Sequence, residues 1–328
     1  MTESVTYPLP IPGIEWELTT RCNYDCNYCL QRTSAGRQGR DSCNETIDTV
    51  LSLLKEKKDS WLVKLSGGEP FLHPRFLEIT RAVTRLSHRV ATTTNFSASR
   101  QTLERFLEAS GKRLAYLTAS LHLEQVRDVQ EFVDKACWFQ AAKPEAAKFI
   151  VTTVGIETEL PRLQALADGL ADAGISFEVA PRKDGSGFIA YTDPAFVAFM
   201  DRHALAHVED IRGMRMLGTM CHAGSLFARI TLDGDGLRCY NIQPRFALGN
   251  AVRGDFKWLD GPKPCLARHC TCTVPANRNM IEYGNRVGPL RMAHDLLRAL
   301  VANGPALIRL RRTRSARLSI VPGIGTKQ

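Results

Sequence analysis

Apolar residues alternate or run together in six short segments, and each has the pattern of a β-strand. The segments begin near Ile14, Trp61, His88, Leu114, Lys148 and Ser176. From the second segment onward they recur at intervals of 26 to 34 residues, the length of one strand–helix unit. Between them apolar residues recur every three or four positions, which is the period of an amphipathic helix. The alternation predicts an α/β fold in which helices cover a parallel sheet.

Some of the intervening helices can be placed individually. Ser42 and Glu45 have capping-box spacing before an apolar series, and Gly111 is suited to end the helix that contains Leu103. A further helix is predicted to have an apolar face formed by Val126, Val129, Val133 and Cys137. Two more helices are predicted over residues 160–170 and 194–206.

Polar residues follow the predicted strands at the points where those strands end. These residues are Gly67 to Glu69, Thr92 to Asn95, Ser120 to His122 and Ala180 to Lys183. In sheets built from strand–helix units, the chemistry takes place at the carboxyl ends of the strands. We therefore expect a functional site at this edge of the sheet.

Cys22, Cys26 and Cys29 lie on one short loop after the first predicted strand. A cubane iron–sulfur cluster has four irons and usually takes four cysteines. Three cysteines would leave one iron open to a small molecule, as in a reactive cluster. The alternative is a zinc knuckle, which would use the C-x2-C pair Cys26 and Cys29 and leave Cys22 without a role.

A second motif follows the second predicted strand. The cysteine motif C-x3-C-x2-C has an aromatic residue, Tyr28, before its last cysteine, and the second motif is Gly67-Gly68-Glu69 followed by Pro70. With both motifs in this order, the chain resembles the radical S-adenosylmethionine (radical SAM) superfamily. The resemblance implies a partial (β/α)6 TIM-like barrel and a [4Fe–4S] cluster whose open iron binds S-adenosylmethionine (SAM). It also implies that the reduced cluster cleaves SAM to a 5′-deoxyadenosyl radical, which abstracts a hydrogen atom from the substrate.

The resemblance also suggests which residues bind SAM. Glu69 is expected to bind the methionine ammonium group, and Gly67 and Gly68 to let the backbone approach the ligand. Further contacts are expected from Thr93, Thr94, Asn95 and Ser120, for which end-of-strand capping is the alternative. Arg182 is a candidate to neutralise a carboxylate of SAM or of the substrate, and a solvated loop is the alternative there.

After about residue 210 the strand–helix pattern stops, and a second group of cysteines follows: Cys221, Cys239, Cys265, Cys270 and Cys272. Residues 228–232 and 237–241 flank a glycine-containing turn and predict a β-hairpin. This segment resembles the SPASM and twitch extensions of radical SAM enzymes. The shorter twitch form, with one auxiliary [4Fe–4S] cluster, needs four cysteines; Cys221 and Cys239 are expected among them and the other two are left open. A structural zinc site is the alternative.

These patterns predict four regions: an N-terminal segment (1–13), a barrel (14–210), an auxiliary-cluster domain (211–280), and a C-terminal helix with a basic tail (281–328). The composition, 44% hydrophobic and 23% charged, is that of an ordinary globular protein. No apolar run approaches the ~20 residues needed to span a bilayer, and no signal-peptide pattern is present. We therefore expect a cytoplasmic protein without a membrane partner. Because so few residues precede the first strand, a fused peptide-recognition domain is not expected.

The formal net charge of +9 arises largely near the C-terminus. The basic residues there are Arg309, Arg311, Arg312, Arg314, Arg317 and Lys327. Aromatic residues are missing from this tail, so it has no stacking platform for bases, and nucleic acid is not expected as a partner. A solvated tail is the simpler interpretation.

The sequence thus favours an enzyme that oxidises a peptide or small natural-product precursor, or forms a bond in it. A low-potential electron donor such as flavodoxin or ferredoxin is expected as a partner. One alternative is an epimerase in which Cys43 returns a hydrogen atom, because a thiol at a helix N-terminus is more acidic and more reactive. Another is a metal-stabilised binding module without catalytic activity.

Overall fold

The structure, a computed structural model, describes residues 9–29, 39–184, 187–204, 216–240, 247–267 and 278–294, and single residues at 270, 274 and 297. The predicted ligand Cys272 and the basic tail lie outside these ranges. Within the described part of the chain, no helix is long and apolar enough to cross a membrane.

Six parallel strands follow one another in sequence order across one sheet. They are β1 (Gly13–Thr19), β2 (Leu62–Gly67), β3 (Arg89–Thr94), β4 (Leu114–Leu121), β5 (Lys148–Val154) and β6 (Ser176–Ala180). Each strand pairs with the next in parallel register. The predicted parallel sheet of six strands is confirmed, and every strand begins within one residue of its predicted start.

A helix follows each of these strands. The helices are α1 (Asn44–Lys55), α2 (Phe76–Arg85), α3 (Arg100–Ser110), α4 (Val129–Ala142), α5 (Leu160–Asp172) and α6 (Pro194–His203). The predicted capping box of α1 is wrong, because Cys43 occupies the N-cap position. The Ser42 hydroxyl donates instead to the carbonyl oxygen of Leu232 at 3.0 Å.

The buried face of α4 also differs from the prediction. Its fully packed residues are Phe132, Ala136 and Phe139, whereas the valines and Cys137 are only partly buried at the edge of the core. Phe139 packs on Phe149 of β5 with ring centroids 4.9 Å apart. The larger aromatic side chains bury more apolar area than the valines, so they determine which face turns inward.

Strand β1 separates two environments. Ile14, Trp16 and Leu18 are almost fully buried and belong to the main core, together with apolar residues of the covering helices. Side chains on successive strand residues point to opposite faces, so Glu15 and Glu17 face the other side. The sheet therefore has an apolar outer face under the helices and a polar inner face.

The described residues form eight further strands: β7 (Lys183–Asp184), β8 (Gly187–Phe188), β9 (Thr219–Cys221), β10 (Phe227–Ile230), β11 (Asp235–Leu237), β12 (Ala247–Asn250), β13 (Lys263–Pro264) and β14 (Ile281–Arg286). A hairpin is present as β10 and β11, but its second strand begins at Asp235, within the predicted turn, and ends at Leu237, where the predicted second strand begins. However, β10 pairs in parallel with β1, so that the hairpin and β12 extend the sheet to nine strands. The predicted boundary at residue 210 therefore separates sequence patterns, while the sheet itself continues across it.

Candidate active site

A cavity of about 720 Å³ lies at the carboxyl ends of the parallel strands, within the usual size range of ligand pockets. Its lining includes most of the residues predicted for the site: Cys22, Cys26, Tyr28, Cys29, Gly67, Gly68, Thr93, Thr94, Asn95 and Ser120. The structure thus brings the cysteine loop, the Gly-Gly turn and the ends of β3 and β4 to one cavity.

The loop that carries the three cysteines is hydrogen-bonded to the end of β3. The Asn95 side chain donates to Asn23 Oδ1 at 2.8 Å and contacts the sulfur of Cys22 at 3.9 Å. The backbone N–H of Tyr24 also donates to that sulfur, at 3.4 Å. These contacts orient Cys22 toward the cavity before any ligand is bound.

The segment after β4 holds the same cysteine loop from the opposite side. The backbone N–H of Asn27 donates to Glu124 Oε1 at 2.8 Å, and that of Asp25 donates to the Gln125 side chain at 3.3 Å. The Tyr28 hydroxyl lies 2.9 Å from His122 Nδ1, and the two rings are stacked. Burial lowers the pKa of His122 to about 4, so this imidazole is neutral near pH 7.

The Gly-Gly turn contacts the start of the cysteine loop through its backbone. Gly68 N–H donates to Thr19 O at 2.8 Å, and Glu69 N–H donates to Arg21 O at 2.7 Å. A Cβ atom at Gly67 would lie 2.3 Å from Thr19 O, and one at Gly68 would lie 2.2 Å from Arg21 O. The glycines are therefore required for the close approach of two protein backbones, in addition to the predicted access for a ligand.

Glu69 has a different environment from the one that the sequence predicted. Its side chain is fully buried, is not among the cavity-lining residues, and accepts hydrogen bonds from Thr94 Oγ1 (2.8 Å), Asn95 N (2.6 Å) and Phe71 N (3.1 Å). Burial raises its pKa to about 7, although these hydrogen bonds favour the charged form. In this structure Glu69 ties the ends of β2 and β3 together and does not face the cavity.

The chemistry of the three cysteines fits an iron–sulfur cluster. Burial raises the pKa of Cys22, and burial followed by the charge of Glu124 raises the pKa of Cys26 to about 12. Such thiols bind a cation by releasing their protons, and sulfur is the ligand type that these clusters require. The three side chains reach the cavity from one loop, which leaves the opposite wall available to a ligand.

A buried ion pair forms part of the cavity lining deeper along the strands. Glu15 and Lys64 are register partners on β1 and β2, and Lys64 Nζ lies 3.3 Å from Glu15 Oε1. The Tyr240 hydroxyl donates to the same carboxylate oxygen. Burial acts to raise the pKa of Glu15, but Lys64, the Tyr240 hydroxyl and Arg229 together lower it below its usual value. The carboxylate is therefore ionised at neutral pH.

Sequence reasoning missed Glu15, Lys64 and Tyr240. A usable signal was present, because strands of a parallel sheet covered on both faces are near-continuous apolar runs. Acidic residues at alternate positions of β1, with a lysine in the same register on β2, break that rule. For Tyr240, which follows β11, no such local signal exists.

Besides Glu69, two further predicted residues, Arg182 and Cys43, are not among those that line the cavity. The backbone N–H of Arg182 donates to the Tyr191 hydroxyl at 2.7 Å. Cys43 is exposed at the start of α1, where its thiol lies 3.3 Å from Thr46 Oγ1. Hydrogen bonding from Thr46 lowers the pKa of Cys43, as expected for a thiol at a helix N-terminus.

The four described cysteines of the second group share one small apolar cluster, although no three or more His, Cys, Asp or Glu side chains in the described part of the chain are arranged to hold a metal ion. Cys221, Cys239 and Cys265 are buried in one small apolar cluster, and the half-buried Cys270 packs against it. Strand pairing places Cys221 opposite Lys263, close to Cys265 in sequence. Burial raises the pKa of Cys221 to about 12, and its charge would be repelled by Cys265 and Cys239. This site is distinct from the cavity, whose lining contains none of these four residues.

Comparison with known proteins agrees with this geometry. Residues 16–143 match the sequence model of the radical SAM superfamily. The AdoMet-dependent heme synthase of Methanosarcina barkeri is 34% identical over 102 residues, which are 30% of this chain and 28% of that protein. The mycofactocin maturase MftC of Mycobacterium ulcerans is 33% identical over 66 residues, 20% of this chain and 17% of that protein. Each match thus spans less than a third of the relative's length.

The fold is shared with solved structures. Streptococcus suis SuiB bound to S-adenosylmethionine superposes with a TM-score of 0.54 and 17% identity, covering 74% of this chain and 64% of SuiB. SuiB is also known with the precursor peptide SuiA bound, and that structure has a TM-score of 0.52. Residues 16–143 thus match the radical SAM model, and the chain shares the partial barrel of its structural neighbours, which supports the prediction of an enzyme.

The buried carboxylate of Glu69 leads to a pH-dependent prediction. Between about pH 4.5 and pH 7 the unfolded chain loses this proton, whereas the folded protein retains it. The free energy of unfolding should therefore fall as the pH rises through this window, by about 3 kcal/mol for full burial. Urea unfolding of the apoprotein should show this fall relative to Glu69→Gln, while the exposed control Glu56→Gln should follow the wild type. A constant difference between wild type and Glu69→Gln across the window would refute the assignment.

The contact between Glu124 and the cysteine loop gives a second prediction. Glu124→Ala removes the acceptor for Asn27 N–H and should make the loop release iron several-fold faster under chelator challenge, since one hydrogen bond to a charged group is lost. Glu124→Gln keeps an acceptor oxygen and should release iron at nearly the wild-type rate. Equal release by the alanine variant and the wild type would show that this contact does not support the loop.

Proposed function

We propose that this protein reductively cleaves S-adenosylmethionine at a cluster held by Cys22, Cys26 and Cys29, and oxidises a substrate or forms a bond in it. The observation that carries the proposal is the convergence of the three thiols, the Gly-Gly turn and the polar ends of β3 and β4 on one cavity. When bound, the reduced cluster supplies the electron that breaks a carbon–sulfur bond of SAM.

The protein's own residues bind and orient the ligands in this proposal. Main-chain groups of Gly67 and Gly68 form one wall beside the methionine part of SAM. Asn95 and Ser120 offer hydrogen-bonding groups to the ribose, at strand ends that are fixed by β3 and β4. Glu69 acts indirectly, because its hydrogen bonds to Thr94 and Asn95 hold the end of β3 in place.

We further propose that the second group of cysteines forms a twitch-like auxiliary site. Support comes from the burial of Cys221, Cys239 and Cys265 in one cluster with Cys270 packed against it. Four thiols complete the ligand set of a cubane cluster without Cys272. An auxiliary cluster would accept one electron from a substrate radical, which favours oxidation over epimerisation.

The epimerase alternative has less support. It needs a thiol that reaches the substrate, and Cys43 is exposed outside the cavity lining. We propose a peptide or small natural-product precursor as the substrate, in a cytoplasmic setting, with flavodoxin or ferredoxin as the electron donor. A mycofactocin maturase and the peptide-bound SuiB among the similar proteins agree with a peptide substrate.

The first test replaces Cys22, Cys26 and Cys29 together by Ala. The variant should form no 5′-deoxyadenosine from SAM under strong reductant. Its iron and sulfide should fall from about eight of each per chain to about four, because the auxiliary site remains. Continued 5′-deoxyadenosine formation would contradict the assignment of the catalytic cysteines, and zinc without sulfide in the wild type would contradict the proposed function as a whole.

A second test addresses the auxiliary site. Cys221→Ala and Cys239→Ala should each lose about four irons and weaken the C-terminal segment, since metal-binding energy is also folding energy. Cys137→Ala is the matched control, because that half-buried thiol lies on α4 away from both groups. Unchanged iron in both single variants would reject the auxiliary cluster.

A further inference from the structure

Polar side chains on the inner face of the sheet form a second part of the cavity. We call Glu15, Lys64 and Tyr240 the inner polar cluster. Glu15 and Lys64 project from the middle of β1 and β2, whereas the cysteine loop begins after the end of β1. Because all three residues line the cavity, this cluster is where a substrate that enters beside SAM would be bound.

The hydrogen bonding of Glu15 is incomplete. Oε1 interacts with Lys64 Nζ at 3.3 Å and accepts a hydrogen bond from the Tyr240 hydroxyl. Oε2 is buried and has no hydrogen-bond partner among the described residues. A buried carboxylate oxygen without a donor is costly, so it usually marks a position where a ligand or water completes the site.

Lys64 supplies the complementary group. Its side chain is 17% exposed and carries three N–H donors, and its only ion pair in the described structure is with Glu15. The next carboxylate on β1, Glu17, lies 3.4 Å from Arg229. Each acid on this strand thus has a cationic partner, and the opposite charges of the two cavity-lining groups, Glu15 and Lys64, cancel, which favours a neutral substrate group over an ion.

We propose that the inner polar cluster is a substrate subsite for a neutral peptide backbone, in which the N–H of one extended residue donates to Glu15 Oε2 and the C=O of the same residue accepts from Lys64 Nζ. In an extended peptide the N–H and the C=O of the same residue point to the same side, which matches a carboxylate and an ammonium group held together as an ion pair. Tyr240 fixes the carboxylate by occupying its other oxygen. The inference deepens the proposed function and rests on its placement of the substrate in this cavity.

The test uses the anaerobically reconstituted holoenzyme with SAM and a small peptide model, N-acetylalanine N-methylamide. Saturation-transfer NMR should detect binding of this probe. The analogue with both amide nitrogens methylated lacks N–H donors and should bind at least about tenfold more weakly, as should the anion N-acetylalanine. Equal binding of the probe and its methylated analogue, or no binding of the probe to the wild type, would overturn the proposal.

Variants then assign the binding to Glu15 and Lys64. Glu15→Gln should weaken probe binding about tenfold or more. The double variant Glu15→Gln/Lys64→Met, which leaves no lone buried charge, should lose it altogether. Glu178→Gln is the matched control, because this β6 carboxylate is on the same sheet but not in the cavity lining, and it should bind like the wild type. Wild-type affinity in the folded double variant would contradict the subsite.

Formation of 5′-deoxyadenosine by the wild-type enzyme is measured in the same samples. Its absence would refute the proposed function, whereas the probe and variant data would still decide the subsite. The two ideas can therefore fail separately.

Discussion

Glu69 connects the ends of three neighbouring strands through its carboxylate and its backbone N–H, and the site depends on that connection. Its oxygens accept hydrogen bonds from Thr94 and Asn95 at the end of β3, while its backbone N–H donates to Arg21 at the start of the cysteine loop. Asn95 in turn contacts Cys22. A side chain that never reaches the cavity thus sets the relative positions of the residues that do. Burial raises the pKa of the Glu69 carboxyl group because the ionised form is destabilised in this position.

The inner face of the sheet provides the second constraint. A parallel strand between two packed layers usually excludes charge, yet β1 carries Glu15 and Glu17 opposite Lys64 and Arg229. Pairing offsets part of the free-energy cost of burying these ions, but apolar residues in the same positions would often give an equally stable protein. We infer that the ions are kept for ligand binding. The polar inner face of the sheet then serves binding, and the apolar outer face stabilises the fold.

The sequence predicts the strands well, because period and spacing are local properties. The start of each parallel strand follows from the apolar pattern. The convergence of Cys22, Gly68 and Ser120 follows from the rule that chemistry lies at the carboxyl ends of parallel strands. The inward turn of Glu69 could not be predicted, since it depends on donors from β3 that are distant in sequence. The parallel pairing of β10 with β1 is equally non-local, and so is the position of Tyr240 beside Glu15.

The most direct test of this account is electron paramagnetic resonance of the reduced protein, recorded with and without SAM labelled with ¹⁵N and ¹⁷O in its methionine part. Direct binding of SAM to the open iron predicts a changed spectrum with SAM, and electron–nuclear double resonance should show coupling to the labelled amino nitrogen and carboxylate oxygen. The triple variant of Cys22, Cys26 and Cys29 should show neither effect. A wild-type spectrum that SAM leaves unchanged, without coupling to either label, would contradict the central claim.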